Sequence, residues 1–380
     1  MKVALVCDWY RPRIGGLELH LQDLARELNK RGHDVVVITS TPGADQVDGL
    51  PVRRIDAPRL PGLDLLYTAE GVRRVAHAIA AEQPDVVHTH VSIVSPVAFA
   101  GAIAAQRQGL PSVVTFHSIV PRTSTLAWGV GALLGAGRWR ARYTAVSRFV
   151  AGAVQPFAPA HSFAVLPNAI DVGAWRSEVL RQPSSEPSSE LRLVSVMRLN
   201  AKKRPLALVA MMRRLAGMHS PALPVRLRIV GDGPRRARLE RAIARAGLEE
   251  RVDVLGYCSR ERIREIFARS DVFVLPAIRE SFGIAALEAR SAGLPIVAMR
   301  HSGVAEFVEH GRSGLLARSD AEFAGHVASL ARDRQSLQRM AAYNQRTPPP
   351  FDWRTVVDAH LAIYCEAMAL RENVRADMNA

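Results

Sequence analysis

Residues 3–39, VALVCDWYRPRIGGLELHLQDLARELNKRGHDVVVIT, read as a strand, a glycine-containing loop, a helix and a second strand. Val3 to Cys7 and Asp34 to Thr39 are short, almost continuously apolar runs, the pattern of strands buried on both faces. Between them Leu17, Leu21, Leu24 and Leu28 recur at helical spacing, which predicts one helix over Gly16 to Arg31 with a single buried stripe. A doubly buried strand joined to another by a helix is the repeating unit of a parallel sheet covered on both sides.

The same alternation continues outward. Lys2 to Cys7, Asp85 to Thr89, Ser112 to Phe116, Tyr143 to Val146 and Ser162 to Leu166 read as strands, and Glu70 to Glu82, Pro96 to Gln108 and Ser147 to Phe157 as helices. The pattern breaks at Arg181 to Glu190, RQPSSEPSSE, which is polar, proline-containing and aperiodic, and reads as a linker. A second α/β series follows. Its strands are Leu191 to Val196, Val225 to Val230, Val252 to Leu255, Asp271 to Leu275 and Pro295 to Met299, with helices from Pro205, Arg235, Ser259, Gly283 and Asp320. Thr347 to Pro350 (TPPP) stops a helix and Phe351 to Met368 starts another, able to pack on either domain. The expected fold is therefore α/β, with two doubly wound Rossmann-like domains over residues 1–170 and 171–350, a linker at 181–190 and a final segment at 351–380. Two such domains in series frame a cleft, and ligands of open α/β sheets bind beyond the carboxyl ends of the strands.

Fifty lysines and arginines against 36 acids give a net charge of +14, which raises the question of a polyanionic partner. The basic residues are nearly all arginine, with lysine only at positions 2, 30, 202 and 203, and they are scattered without interleaved aromatics. Nucleic acid is therefore not an expected partner. Trp128 and Trp139 with Arg138, Arg140 and Arg142 flank an apolar segment, which suggests a peripheral contact with an anionic membrane. No apolar run approaches the roughly 20 residues of a membrane span, and the first residues lack the order of a signal peptide, so a cytoplasmic location is expected. Cys7, Cys258 and Cys365 are far apart and show no metal-binding spacing.

Four places carry candidate chemistry. Gly15 and Gly16 open a helix directly after the first strand, where unobstructed amides can approach an anion. His117 ends the Ser112 to Phe116 strand; His88 and His90 end another and read as a satisfied edge pair. Arg198 and Lys203 lie in the loop after Leu191 to Val196, and Gly231 to Gly233 end the strand at Val230. In PAIRESFGIAALEARSAGLPIV, residues 276–297, Glu280 and Glu288 flank a helix start near Phe282, where the amides of Gly283 and Ile284 could hold a phosphate. Carboxylates beside an anion site repel phosphate but accept hydrogen bonds from sugar hydroxyls.

These segments, together with VVTFHS, PNAIDV, RLNAKKRP, IVGDGP and GVAEFVEHGRSGLLA, resemble the retaining GT-B glycosyltransferases of family 4 along almost the whole chain. The resemblance implies a nucleotide diphosphate sugar (UDP- or GDP-sugar) as co-substrate, a hydroxyl acceptor and no required metal or other cofactor. It casts Gly16 as the glycine that closes on the donor phosphate and His117 as the histidine near the anomeric carbon. Arg198 and Lys203 become the diphosphate clamp, and Glu280 the carboxylate on the donor sugar's hydroxyls. Gly231, Gly283, Ile284 and Glu288 join the donor site, Glu288 at the ribose. The tail FDWRTVVDAHLAIYCEAM is similar to the family's last helix, which crosses back to the first domain. One departure is Lys203-Arg204, where the family carries Lys-Gly: the lysine is kept and the turn is open to a different geometry.

Retention in this family needs no protein nucleophile, unlike the paired acids of retaining glycosidases. The absence of any Asp-x-Asp pair argues directly against a required divalent ion. Two other readings share the architecture: a sugar-nucleotide isomerase of the 2-epimerase type, and a non-catalytic nucleotide-sugar binding protein.

Overall fold

The computed structural model describes residues 1–60, 65–66, 68–92, 94–119, 136–176, 190–217 and 223–379. Trp128 and nearly all of the 181–190 linker lie outside the described residues. The chain divides into two compact units, Met1–Ala169 with Trp353–Ala380, and Ile170–Asp352.

In the first unit the strands are β1 (Lys2–Cys7), β2 (Asp34–Thr39), β3 (Gln46–Val47), β4 (Leu50–Arg54), β5 (Arg59–Leu60), β6 (Leu65–Leu66), β7 (Val86–Val91), β8 (Ser112–Phe116), β9 (Arg142–Ala145) and β10 (Phe163–Val165). Eight of them form one sheet in the order β10-β9-β8-β7-β1-β2-β4-β3, parallel except for the β3–β4 hairpin. The helices are α1 (Gly16–Lys30), α2 (Ala69–Glu82), α3 (Pro96–Gln108) and α4 (Arg148–Val154). Period-two alternation in β1 sorts its side chains between two cores. Val3, Leu5 and Cys7 join Leu21, Leu24 and Leu28 of α1, whereas Ala4 and Val6 join Val75, Ile79, Val97 and Ala104 of α2 and α3.

The second unit begins with α5 (Val172–Trp175) and contains β11 (Leu191–Val196), β12 (Val225–Val230), β13 (Val252–Gly256), β14 (Val272–Leu275), β15 (Ile296–Met299) and β16 (Gly314–Ala317). All are parallel, in the order β13-β12-β11-β14-β15-β16. Its helices are α6 (Pro205–Gly217), α7 (Arg236–Arg245), α8 (Arg260–Ala268), α9 (Ile284–Ser291), α10 (Asp320–Arg332) and α11 (Arg334–Arg346). The chain winds outward from β11 through β12 to β13 and then returns to β14 on the other side of β11. The loops leaving β11 and β14 therefore part in opposite directions, which opens a crevice at their carboxyl ends.

Sequence patterning missed several elements. β16 is only Gly-Leu-Leu-Ala, and β4 carries Pro51, Arg53 and Arg54. The helix expected from Asp320 is two helices, because Asp333 ends α10 and its carboxylate caps α11 by accepting from the Ser336 amide at 2.8 Å. The final helix, α12 (Trp353–Asn379), runs beyond Met368 and belongs to the first unit. Trp353, Val356, Val357, Ile363, Tyr364 and Ala367 enter the α1 core.

Trp139 is buried, with its ring 6.1 Å from Phe99, so it is not available to a membrane surface. No helix among the described residues is long and apolar enough to cross a membrane.

Tyr364 is fully buried and its hydroxyl meets His88 Nδ1 at 2.8 Å. Tyr364→Ala should therefore destabilise the protein by about 3–5 kcal/mol, read from the urea unfolding midpoint. A loss below about 1 kcal/mol would mean that α12 contributes little to this core.

Candidate functional site

The candidate residues lie in strand-end loops, most of them in the second unit. Where β11 ends, Met197 N–H donates to Val230 O at 3.0 Å and Leu199 N–H to Asp232 O at 2.8 Å, so this loop lies directly on the loop after β12. Only glycine permits that approach at 231. Its φ is +130°, and an added Cβ would stand 1.9 Å from Met197 O. Arg198 is exposed on this loop.

Farther along the loop, Asn200 Oδ1 accepts from Lys203 N–H at 3.0 Å and fixes the turn that presents the lysine. Lys203 Nζ donates to Glu280 Oε2, an ion pair between the loops after the neighbouring strands β11 and β14. Glu280 is buried, and the lysine gives its carboxylate a charged partner away from water.

The loop carrying Glu280 ends at Gly283, whose φ of +94° places it in the left-handed region. The sequence reading started the helix near Phe282; the structure starts it at Ile284, because a residue with that φ cannot belong to a right-handed helix. Gly283 is the N-cap and offers no side-chain cap, so the first-turn amides at Ile284 and Ala285 lack intrahelical acceptors. Ala286 and Leu287 N–H already bond to the Gly283 carbonyl. Glu288, one turn on, is buried with a relative exposure of 7%, which removes the reading of it as an ordinary surface residue. The structure thus brings Lys203 and Glu280 into contact, and puts Glu288 on the helix whose amino end Gly283 and Ile284 form.

Gly16 and His117 belong to the first unit. Gly16 is exposed at the start of α1, behind an N-cap, Gly15, without a side chain. A Cβ on Gly15 would stand 2.4 Å from the Glu18 carboxylate, which is paired with Arg13 Nε at 3.1 Å. Arg54 Nη1 holds this loop by donating to Arg11 O at 2.8 Å and to Thr41 O at 2.9 Å.

His117 directly follows β8 and is buried. Its Nε2 lies 3.0 Å from His90 Nδ1, so one ring donates and the other accepts. Desolvation pushes the His117 pKa down to about 3, and the ring is neutral. The reading of His88 and His90 as an edge pair is corrected: β7 lies inside the sheet between β1 and β8. Both rings are buried, and His88 is held by Tyr364 on one nitrogen and by Thr115 Oγ1 at 2.6 Å on the other. The tertiary partners, which periodicity does not reveal, make these histidines a connected set with His20 and His360. No group of three or more His, Cys, Asp or Glu among the described residues is arranged to hold a metal.

Residues 14–173 match the family described as Glycosyltransferase Family 4, and residues 176–347 the one described as Glycosyl transferases group 1. The GDP-mannose-dependent alpha-mannosyltransferase of Mycobacterium tuberculosis is 29% identical, over 99% of this chain and 99% of the relative. The D-inositol 3-phosphate glycosyltransferase of Rhodococcus erythropolis is 28% identical, over 93% of this chain and 87% of the relative. Among solved structures, Anabaena Alr3699/HepE in complex with UDP and glucose superimposes with a TM-score of 0.77 at 24% identity, over 96% of this chain and 100% of that one. The fold is that of GT-B enzymes.

The buried histidines make acid destabilising. His88, His90, His117 and His360 all have pKa values lowered first by desolvation, His360 to about 4. Below about pH 6.5 the unfolded chain binds protons that the folded chain refuses, at up to about 1.4 kcal/mol per pH unit for each histidine. Asp8 acts oppositely, since desolvation raises its pKa to about 7 and the folded state then holds the extra proton. Four groups outweigh one, so the melting temperature should fall from pH 7.5 to pH 5; a flat or rising profile would contradict this balance.

Proposed function

The chain belongs to the glycosyltransferases of the group 1 and family 4 type, and from that premise we propose that it is a retaining hexosyltransferase. It moves a sugar from a UDP- or GDP-sugar to a hydroxyl acceptor such as a glycolipid, a polysaccharide precursor or a small-molecule glycoside. The observation that carries the reading is the Lys203–Glu280 pair in the loops beside the amino end of α9. A cation and unbonded amides suit a diphosphate, and a buried carboxylate suits sugar hydroxyls. The relatives support a nucleotide donor: one is a GDP-mannose-dependent alpha-mannosyltransferase, and one solved neighbour holds UDP.

In the proposed mechanism the diphosphate settles on Lys203, Arg198 and the amides of Gly283 and Ile284, and Gly16 keeps the phosphate role that the family resemblance implies. Gly231 keeps the Arg198 loop in place, and Glu288 accepts from the ribose. Glu280 orients the sugar, and His117, neutral, accepts or donates a single hydrogen bond to it. As the glycosidic bond to phosphate breaks, the sugar becomes cation-like and negative charge grows on the departing diphosphate. The acceptor hydroxyl attacks the same face and its proton passes to a leaving phosphate oxygen, so configuration is retained without a covalent intermediate. The cations and amides stabilise that charge, and no divalent ion is required. The net charge of +14 favours acceptors displayed on an anionic membrane, a part of the proposal that co-sedimentation with anionic vesicles at low salt tests.

Lys203→Ala should lower kcat by about 10²–10³-fold, the usual effect of losing one charge-stabilising donor, and weaken nucleoside diphosphate binding. Normal transfer by that variant would contradict the assignment. A thermal-shift panel of UDP, GDP and ADP selects the base for the assay, and EDTA should leave the rate unchanged.

A further inference from the structure

We infer that Arg204 is a positioning residue that sets Lys203 against Glu280. Its backbone φ is +56°, in the left-handed region, and the next residue is Pro205. A left-handed residue with a side chain is sterically unfavourable, and a following proline favours extended rather than helical geometry at that position. The other non-glycine residues with positive φ among those described have ordinary reasons for it. Asp48 turns the β3–β4 hairpin and Gln83 caps the carboxyl end of α2. Arg204 instead precedes a helix, where a local turn closed by its N–H on Ala201 O at 3.2 Å is joined by a second constraint from outside the local chain.

The side chain supplies that constraint. Arg204 Nη1 donates to Pro276 O at 2.9 Å, and the guanidinium grips both carboxylate oxygens of Asp320, at 3.0 and 2.6 Å. Pro276 is the first residue after β14, at the head of the loop that ends in Glu280; Asp320 is the first residue of α10. Two consecutive cations of the β11 loop thus hold the two ends of the β14 loop, Arg204 its start and Lys203 its Glu280 end. Asp320 is well exposed, so the ion pair by itself contributes little to stability. A weakly stabilising pair that maintains an unfavourable backbone is best explained by what that backbone orients, which is the adjacent Lys203.

The inference rests on Lys203 and Glu280 being the donor ligands proposed above. Arg204→Gly relieves the backbone strain while removing the clamp, so it should keep or raise the melting temperature. Its kcat/KM should nevertheless fall on the order of ten- to a hundredfold, as expected for a reacting group displaced by a fraction of an ångström to an ångström. Arg204→Lys keeps a charge but not the planar fork, and should not restore activity. Asp320→Asn, at an exposed position, should lower kcat/KM in the same direction without unfolding the protein. Lys203→Ala is run in parallel. If it is inactive while Arg204→Gly and Asp320→Asn match wild type in kcat and KM, the positioning role is wrong and the donor site stands. If Lys203→Ala is fully active, the donor-site reading fails and the inference falls with it.

Discussion

The Lys203–Glu280 ion pair, with Arg204 on Pro276 O beside it, ties together the loops that leave β11 and β14 at the point where the sheet reverses its order. The loops leave paired strands, and buried Glu280 meets the lysine between them. The pair is only partly buried, with the lysine side chain 27% exposed, so solvent offsets part of what losing a partner would cost. The surrounding residues make sense as ways to keep the pair in register. Asn200 fixes the lysine's turn, Gly231 lets the β11 loop rest on the β12 loop, and Gly283 lets the Glu280 loop turn into α9.

The first unit solves a different problem, the burial of polar rings. His88, His90 and His117 lie on or next to adjoining strands, and α12 lays Tyr364 and His360 against them. Burial keeps the histidine rings neutral; His88, His90 and His117 bond to neighbours far away in sequence, and His360 to Val356 O one turn back on α12. The same arrangement gives His117 a fixed partner in His90, so that one ring nitrogen is already committed before any ligand arrives.

The central strands were readable from short β-branched and apolar runs: β1, β2 and β8 are buried almost throughout, while β11 and β12 keep the expected bounds although arginines at 192, 226 and 228 interrupt them. Short or mixed strands such as β4 and β16 carry no such signal, since their partners rather than their side chains make them strands. The α10–α11 break and the start of α9 depend on a cap and a backbone angle, which periodicity does not encode. For the site, Lys203 and Glu280 are 77 residues apart, and only resemblance to a family related them before the fold brought them together. Arg204 looked like a departure from that family; it has a left-handed φ, and its guanidinium meets Pro276 and Asp320, contacts that no local pattern could disclose.

The account's central claim is that the second unit binds a nucleoside diphosphate with Lys203, Arg198 and the amino end of α9. A crystal structure with the preferred nucleoside diphosphate tests it most directly. Phosphate density within hydrogen-bond distance of Lys203 Nζ and the Gly283 and Ile284 amides, with Glu288 on the ribose, is the predicted result. Clear density for the nucleotide elsewhere, with the Lys203–Glu280 loops unoccupied, would contradict it.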